Sequence, residues 1–387
     1  MLTKSDIQFL LSPLGHKVLN EAGSLSGNVL QKVDYLRKQY PREQVAASLD
    51  MLELRSRGRA KFSNADRMWF TPQGLEQSSG EVIAKYRAVQ FPLGSSINDL
   101  CCGIGGDSIQ LGVNHKVISI DIDPMTALCA KSNFDIFGSN ARAICGDSTK
   151  LNITADFAFF DPSRRSGGRT VRHGDQYSPP LSFTHEISKK VAGLAVKVSP
   201  GLPDLEMESF ASTIEFISVR GECKEAVLWC GALSRPNFKS ATLLPENVTL
   251  SNLEFCEPLS ITPPLAYLYE PDPAVVRAHL IQEVAEIVNG SLMDSMIAYI
   301  TSDHLTQTPF ATAYKIIDWM PFHIKNLQRR LRQLDRRVVA IKKRGVPMDP
   351  LDLRKKITGD GRGEAIIVLT RINDSPSALI CELVNFS

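Results

Sequence analysis

No two cysteines in this chain stand at CxxC spacing, and none has a histidine near it at metal-ligand spacing. The eight cysteines, Cys101, Cys102, Cys129, Cys145, Cys223, Cys230, Cys256 and Cys381, are scattered. Several lie inside apolar runs such as AVLWC and ARAIC, where a free thiol behaves as a small core residue. This distribution argues against a zinc ribbon, an iron–sulfur centre and a disulfide framework. No metal is expected, and a reducing, cytoplasmic compartment fits best. No uncharged apolar run approaches the roughly 18 residues of a membrane span. The first residues, MLTKSDIQFLLSPLGHKV, read as an amphipathic helix without a small-residue cleavage site, so neither secretion nor a membrane partner is expected. Internal repeats and low-complexity tracts are absent. So are a P-loop GxxxxGK(S/T), a GxSxG elbow and an HExxH pair, which removes three common hydrolytic chemistries.

What is there is globular. Of 387 residues, 43% are apolar and 22% charged, enough for buried cores and, at roughly 100–200 residues per domain, for two or three domains. The charge is uneven. Between Pro309 and Arg371, fifteen Lys/Arg stand against six Asp/Glu, on a chain whose formal net charge is only +2. Such a segment suits an anionic partner, RNA or DNA ahead of a membrane surface, or else is a solvated helical face.

Residues 1–92 read as helical. In PREQVAASLDMLELRSRGRAKF, Val45, Leu49 and Leu52 fall at helical spacing. The tail of that segment, Arg55, Arg57, Arg59 and Lys61, is uninterrupted by acid. It suits either the negative end of a helix dipole or a nucleic acid. From Ser95 the texture changes. SINDLCC, KVISIDID, ARAIC, DFAFFD and LAVKVS each carry an apolar stretch of strand length, with helical material such as PMTALCAKSNFDIFG between some of them. Alternation of this kind implies an α/β, doubly wound, mostly parallel sheet. IEFISVR and EAVLWC follow across a short gap as an antiparallel pair. Residues 257–273, with five prolines, read as a linker. Beyond it, Ile324, Leu327, Leu331, Leu334 and Val338 repeat at spacings of 3 and 4, predicting one helix, and EAIIVLTRI and SALICELV read as strands. The expected organisation is a helical region 1–92, a catalytic domain 93–256, the linker 257–273 and a basic, smaller α+β domain 274–387.

The stretch with most chemical content is Asp99-Leu-Cys-Cys-Gly103-Ile-Gly105-Gly106-Asp107, after an apolar strand and before the helical SIQLG. Glycines let a backbone turn sharply against a ligand, and the next helix offers free N–H groups. A glycine loop by itself also fits a nicotinamide site. Two residues favour another ligand. Asp99, four before the first glycine, can take a ligand ammonium. Asp107, after the last glycine, is unfriendly to a pyrophosphate but harmless to a neutral or cationic ligand.

This pattern resembles motif I of the class I S-adenosylmethionine (AdoMet) methyltransferases, and the resemblance continues in order. Asp121 ends VISIDIDP at the family's ribose-binding position. Gly146-Asp147 matches the acid that receives the adenine amino group. Phe160-Asp161-Pro162-Ser163-Arg164 matches motif IV, beside the methyl acceptor. DLCCGIGGDSIQLG, VISIDIDP and ICGDSTKL look most like the trimethylguanosine synthase type of RNA methyltransferase. WFTPQGLEQSSGEVIAKYRA resembles the WFSVTPE-type segment of that group. The basic third region resembles a bacterial THUMP-like C-terminal domain.

The resemblance implies a seven-stranded Rossmann-like sheet and AdoMet as cofactor. It places Asp99, Cys101, Gly103, Gly105, Asp107, Asp121, Ile122, Asp147 and Ser148 around the cofactor. Asp161, Pro162 and Arg164 fall at the acceptor, with RNA as partner and a base amino or ring nitrogen as target.

Motif IV departs from the amino-directed pattern. Ser163 replaces a second proline and Arg164 an aromatic, although a guanidinium plane also stacks on a base. DPSR also looks like the DPPR or DPAR of uracil-C5 enzymes, but Val198-Ser199-Pro200 stands where those carry a nucleophilic cysteine. The 162–180 loop holds Arg164, Arg165, Arg169 and Arg172, with Gly167, Gly168 and Gly174. Those arginines suit phosphates, or the loop is a surface excursion. His173 and Tyr177 are placed to assist or stack. Two rival readings remain open: a non-catalytic AdoMet- and RNA-binding module, and a small-molecule or protein methyltransferase.

Overall fold

The structure is a computed structural model. It describes residues 2–386 apart from 167–168, 212, 235–237, 253–258, 348–352, 355 and 358–360. Two compact units divide the chain: Met1–Ile214 with Glu225–Asn237, and Glu215–Lys224 with Phe238–Ser387.

The first unit begins with helices α1 (Lys4–Leu10), α2 (Pro13–Ser24), α3 (Val29–Leu36), α4 (Arg42–Gly58), α5 (Pro72–Gln77) and α6 (Glu81–Ala88). Their starts are written in the sequence. Ser12 and Thr71 cap α2 and α5 with their hydroxyls, and each is followed by a proline in the first turn. The basic tail of α4 is used internally. Arg55 lies over the Trp69 ring and donates to the Met68 carbonyl, and Arg59 pairs with Asp66. The Lys61 ammonium donates to the carbonyls of Leu75, Glu76 and Ser78 at 2.7–2.9 Å.

Strands and helices then alternate: β1 (Ser96–Leu100), α7 (Gly106–Leu111), β2 (Lys116–Asp121), α8 (Pro124–Phe137), β3 (Ala141–Cys145) and β4 (Phe157–Phe160). The two-residue strands β5 (Arg165–Ser166) and β6 (Arg169–Thr170) form a hairpin. α9 (Thr184–Ser188), β7 (Gly193–Val198), α10 (Asp204–Glu208), β8 (Thr213–Val219), β9 (Glu222–Gly231), β10 (Phe238–Leu244) and β11 (Val248–Ser251) complete the run. The strand order is β11-β10-β8-β9-β7-β4-β1-β2-β3. Pairing is parallel among β1, β2, β3, β4 and β7 and antiparallel between β7 and β9. The sheet thus has nine strands where the resemblance implies seven. The added pair is the antiparallel β10–β11. Its sequence, KSATLLPENVTL, places short largely apolar runs either side of a Pro-Glu-Asn turn in which Asn247 takes φ +56°.

The second unit, to which β10, β11 and most of β8 belong, is α+β. Strands β12 (Tyr267–Pro271), β13 (Ser291–Leu292), β14 (Ile300–Ser302), β15 (Ala311–Pro321), β16 (Arg336–Lys343), β17 (Gly363–Ile372) and β18 (Ser375–Leu383) lie in the order β13-β14-β12-β15-β18-β17-β16. Helices α11 (Pro273–Ala278), α12 (Ile281–Ile287) and α13 (Ile324–Gln333) interrupt them. Two sequence expectations change here. The proline-rich stretch holds a strand: β12 pairs with both β14 and β15. Its prolines punctuate the chain, Pro271 at the strand end and Pro273 in the first turn of α11. Residues 257–258 of that stretch lie outside the described residues. The single helix expected from Ile324 through Val338 is a helix and then a strand. α13 buries Leu327 and Leu331 against Ile367, Leu369 and Ile380, Asp335 turns at φ +54°, and the β-branched run from Val338 pairs parallel with β17.

Candidate cofactor and acceptor site

The glycine loop leaves β1 and turns into α7 at the edge of the parallel strands. Cys101, Gly103 and Gly105 all take positive φ, +69°, +57° and +83°. A Cβ on Gly103 would meet nothing within 4 Å, so its face is open; a Cβ on Gly105 would lie 2.4 Å from the Phe134 ring of α8. One glycine leaves room for a ligand and the next lets a helix pack close. The upstream WFTPQG segment sits against this loop. Asn133 accepts from the Trp69 N–H and donates to the carbonyls of Trp69 and Ile104, at 2.8, 3.1 and 2.9 Å.

Asp121, at the end of β2, accepts from the Gly103 N–H through Oδ2 and from the Asp123 N–H through Oδ1, both at 2.9 Å. Burial raises its pKa, against the pull of those two N–H groups. Ile122 beside it is 71% exposed, an apolar surface at the loop. Asp147 accepts from the N–H and hydroxyl of Thr149 and pairs with Lys150 at 3.1 Å. The Thr149 hydroxyl and Lys150 hold its pKa below the ordinary value. Ser148 is buried, its hydroxyl 3.9 Å from the Cys101 sulfur. Burial pushes the Cys101 thiol up, so it stays protonated. Asp121 thus holds the Gly103 backbone, Ser148 lies against Cys101, and the Gly146 N–H before Asp147 donates to the Asp121 carbonyl at 2.9 Å.

Asp99 and Asp107 are buried. Asp99 is 0% exposed. The Ser108 hydroxyl donates to its Oδ2, and Oδ1 has no partner. Burial, then the neighbouring Asp107, raises its pKa well above the usual carboxylate range. Sealed this way, it could touch a ligand ammonium only if the loop opened. Asp107 is committed to Arg87.

Asp161 follows β4, and its N–H donates to the Leu100 carbonyl at 3.2 Å, which ties the motif IV corner to the glycine loop. Its Oδ2 accepts from the Lys197 ammonium at 2.7 Å. Pro162 is buried and Arg164 half-buried. The Arg164 carbonyl accepts from the Val171 N–H, closing the base of the β5–β6 hairpin. Ser163 and Ser178 exchange backbone bonds at 2.9 Å, and Tyr177 packs inward with its hydroxyl toward the Ser199 N–H. His173 and the Gly174 N–H both bond Glu206 of α10, at 2.6 and 2.8 Å. The 162–180 segment is thus anchored at several points. Arg172 is exposed; Gly167, Gly168 and the side chains of Arg165 and Arg169 lie outside the described residues.

Three charged residues escape a reading of the sequence. Arg87 of α6 is 1% exposed, pairs with both Asp107 and Glu225, and lies over the Phe159 ring. Lys197 of β7 is the partner of Asp161. Glu225 is buried in β9. The lysine carried a signal, since a cation inside LAVKVS breaks an otherwise buried strand; the other two carried none.

Among the described residues, no group of three or more His, Cys, Asp or Glu is placed to hold a metal ion. No described helix is long and apolar enough to cross a membrane.

Residues 94–178 match the family described as RNA cap guanine-N2 methyltransferase, residues 311–383 match a THUMP domain-like family, and residues 4–58 match a domain of unknown function. Uncharacterised S-adenosylmethionine-dependent methyltransferases of two Mycobacterium tuberculosis strains, CDC 1551 and H37Rv, are each 29% identical over 310 residues. That alignment covers 78% of this chain and 84% of each relative. A crystal structure described as a candidate methyltransferase from Porphyromonas gingivalis W83 superposes with a TM-score of 0.79. It covers 94% of this chain and 96% of that one at 20% identity, a likeness of fold. With the glycine loop and its acidic strand ends, these likenesses support an AdoMet-dependent methyltransferase, with residues 311–383 similar to a THUMP domain.

Proposed function

We propose that this methyltransferase modifies RNA, at a base amino or ring nitrogen. The match of residues 94–178 to the RNA cap guanine-N2 methyltransferase family carries the reading, because it spans both the glycine loop and the motif IV corner. The THUMP-like family match supports it. So does α13, whose exposed side presents Lys325, Arg329 and Arg332, none of them in an ion pair among the described residues.

The residues around Gly103 fit AdoMet. Asp121 keeps lone pairs for two ribose hydroxyls, Ile122 offers an apolar surface to the adenine, and Asp147 with Ser148 receives the adenine amino group. The open face of Gly103 lets the amino-acid end approach backbone, with Cys101 and Gly105 setting the turn. Asp99 and Asp107, both buried, brace the loop from behind. When bound, AdoMet supplies a methyl group already activated on a sulfonium. The protein's task is then alignment of the acceptor nitrogen with that carbon. Asp161 and the Pro162 carbonyl accept hydrogen bonds from the acceptor's N–H groups, Arg164 stacks against its ring, and Arg165, Arg169 and Arg172 meet phosphates.

The test is methyl incorporation from labelled AdoMet into total cellular RNA by the full chain, with the modified nucleoside identified. Asp161→Ala should abolish incorporation and leave S-adenosylhomocysteine affinity unchanged. Undiminished transfer by that variant would remove Asp161 from the acceptor site. Label that enters protein or small molecules and not RNA would transfer the reading to another substrate class.

A further inference from the structure

We propose that Lys197 is a positioning residue for methyl transfer: its ammonium fixes Asp161 by one oxygen and presents the other to the acceptor's N–H. The inference rests on the reading of Asp161 as the acceptor-facing carboxylate.

The register places the pair. β4 and β7 run parallel with Phe160 opposite Val196, so the residues one step on, Asp161 and Lys197, emerge side by side at the ends of their strands. Nζ lies 2.7 Å from Oδ2. Burial is graded along the pair: the lysine side chain is 7% exposed and the carboxylate 23%, so Asp161 is the end that meets solvent. All six residues of β7 are buried. A lysine in such a strand carries a desolvation penalty that an apolar residue of equal volume would avoid, so packing alone does not account for it.

The charges around the pair explain why a cation is needed. Asp99 of β1, Asp107 of α7, Asp121 of β2 and Glu225 of β9 surround this corner, with Cys101 and Tyr177 also facing it. Arg87 is committed to Asp107 and Glu225, which leaves Lys197 as the cation bonded to Asp161. Burial lowers the pKa of the Lys197 ammonium, and the Asp161, Glu225 and Asp107 carboxylates more than offset it, so its pKa stands above the ordinary lysine value. The ammonium therefore persists across the working pH range. A carboxylate tied to a permanent cation is a weak base and a good, fixed hydrogen-bond acceptor. That suits an acceptor nitrogen attacking with its own lone pair and shedding its proton after the methyl has arrived.

The experiment uses the full chain, labelled AdoMet and total cellular RNA. Lys197→Met, which keeps the bulk and removes the charge, should lower the transfer rate roughly tenfold at neutral pH. S-adenosylhomocysteine affinity should be unchanged. Independently of turnover, the Lys197 ammonium should give a protected nitrogen resonance that is lost or displaced in Asp161→Asn. A wild-type rate in Lys197→Met overturns the proposal, and so does an ammonium resonance indifferent to Asp161→Asn. If Lys197→Met does not fold, the resonance decides alone. Loss of transfer in Asp161→Asn beside normal transfer in Lys197→Met would refute the lysine's role and leave the proposed function standing. Normal transfer in Asp161→Asn would refute the reading on which it rests.

Discussion

Arg87 explains what the N-terminal helices do for the catalytic unit. It comes from α6, yet its guanidinium is spent on Asp107, the second residue of the glycine-loop helix, and on Glu225 in β9. Burial alone would lower its pKa, but the two carboxylates hold it above the ordinary value. An arginine stacked on Phe159 and forked between two acids is pre-organised in a way a lysine would not be. Removing one member of a buried charge network leaves the others uncompensated, at a cost of about 3–5 kcal/mol. Arg87→Met should therefore lower unfolding free energy by an amount of that order, read by denaturant titration. A change below about 0.5 kcal/mol, the range of ordinary surface substitutions, would mean the guanidinium is dispensable to the fold.

At the scale of elements, the basic C-terminal region separates into charges with partners and charges without. Arg330 pairs with Asp318, Arg336 with Glu382, Arg337 with Glu364, Lys342 with Glu270, Arg362 with Asp335 and Arg371 with Asp294. Three of these acids, Glu270, Asp294 and Glu382, lie outside residues 309–371, so counting charge within that window overstates the free positive surface. On α13, Lys325, Arg329 and Arg332 have no ion pair among the described residues, at spacings that set them along one side of the helix. If they touch phosphates, changing all three to Gln should weaken RNA binding regardless of sequence. It should also flatten the salt dependence by roughly 2 in log–log slope, at about 0.7 per contact for single strands. Binding measured from low to physiological salt gives the slope; an unchanged slope would remove α13 from the RNA surface. The same elements mark what the sequence could convey. Continuous apolar runs identify β1, β2, β3, β4 and β7, and the acids at strand ends mark the proposed cofactor positions. The stripe from Ile324 to Val338 misleads because spacing alone does not report the left-handed turn at Asp335. The partners of Arg87, Lys197 and Glu225 are hidden for a related reason: tertiary packing brings each pair together, and not sequence proximity.

For the whole molecule, the question is whether the loop that organises the first unit binds the ligand its geometry suits. The P. gingivalis likeness spans nearly all of the chain but speaks only to fold, and a glycine loop between a strand and a helix also serves nicotinamide dinucleotides. Ligand linkage separates the two. A molecule that binds only the folded chain, at roughly 100 times its dissociation constant, stabilises it by roughly 2.7 kcal/mol. S-adenosylhomocysteine should thus raise the unfolding temperature, whereas NADH should leave it unchanged. Asp121→Ala isolates the ribose contact. Its folding loss is read without ligand, and its affinity for S-adenosylhomocysteine should fall by about tenfold or more, about 1.4 kcal/mol. Since two compact units need not melt together, the decisive quantity is the shift of whichever transition responds to ligand. A response to S-adenosylhomocysteine that Asp121→Ala diminishes ties the cofactor to the end of β2. A response that Asp121→Ala leaves intact puts the ribose elsewhere, and a response to NADH would overturn the methyltransferase assignment of the loop.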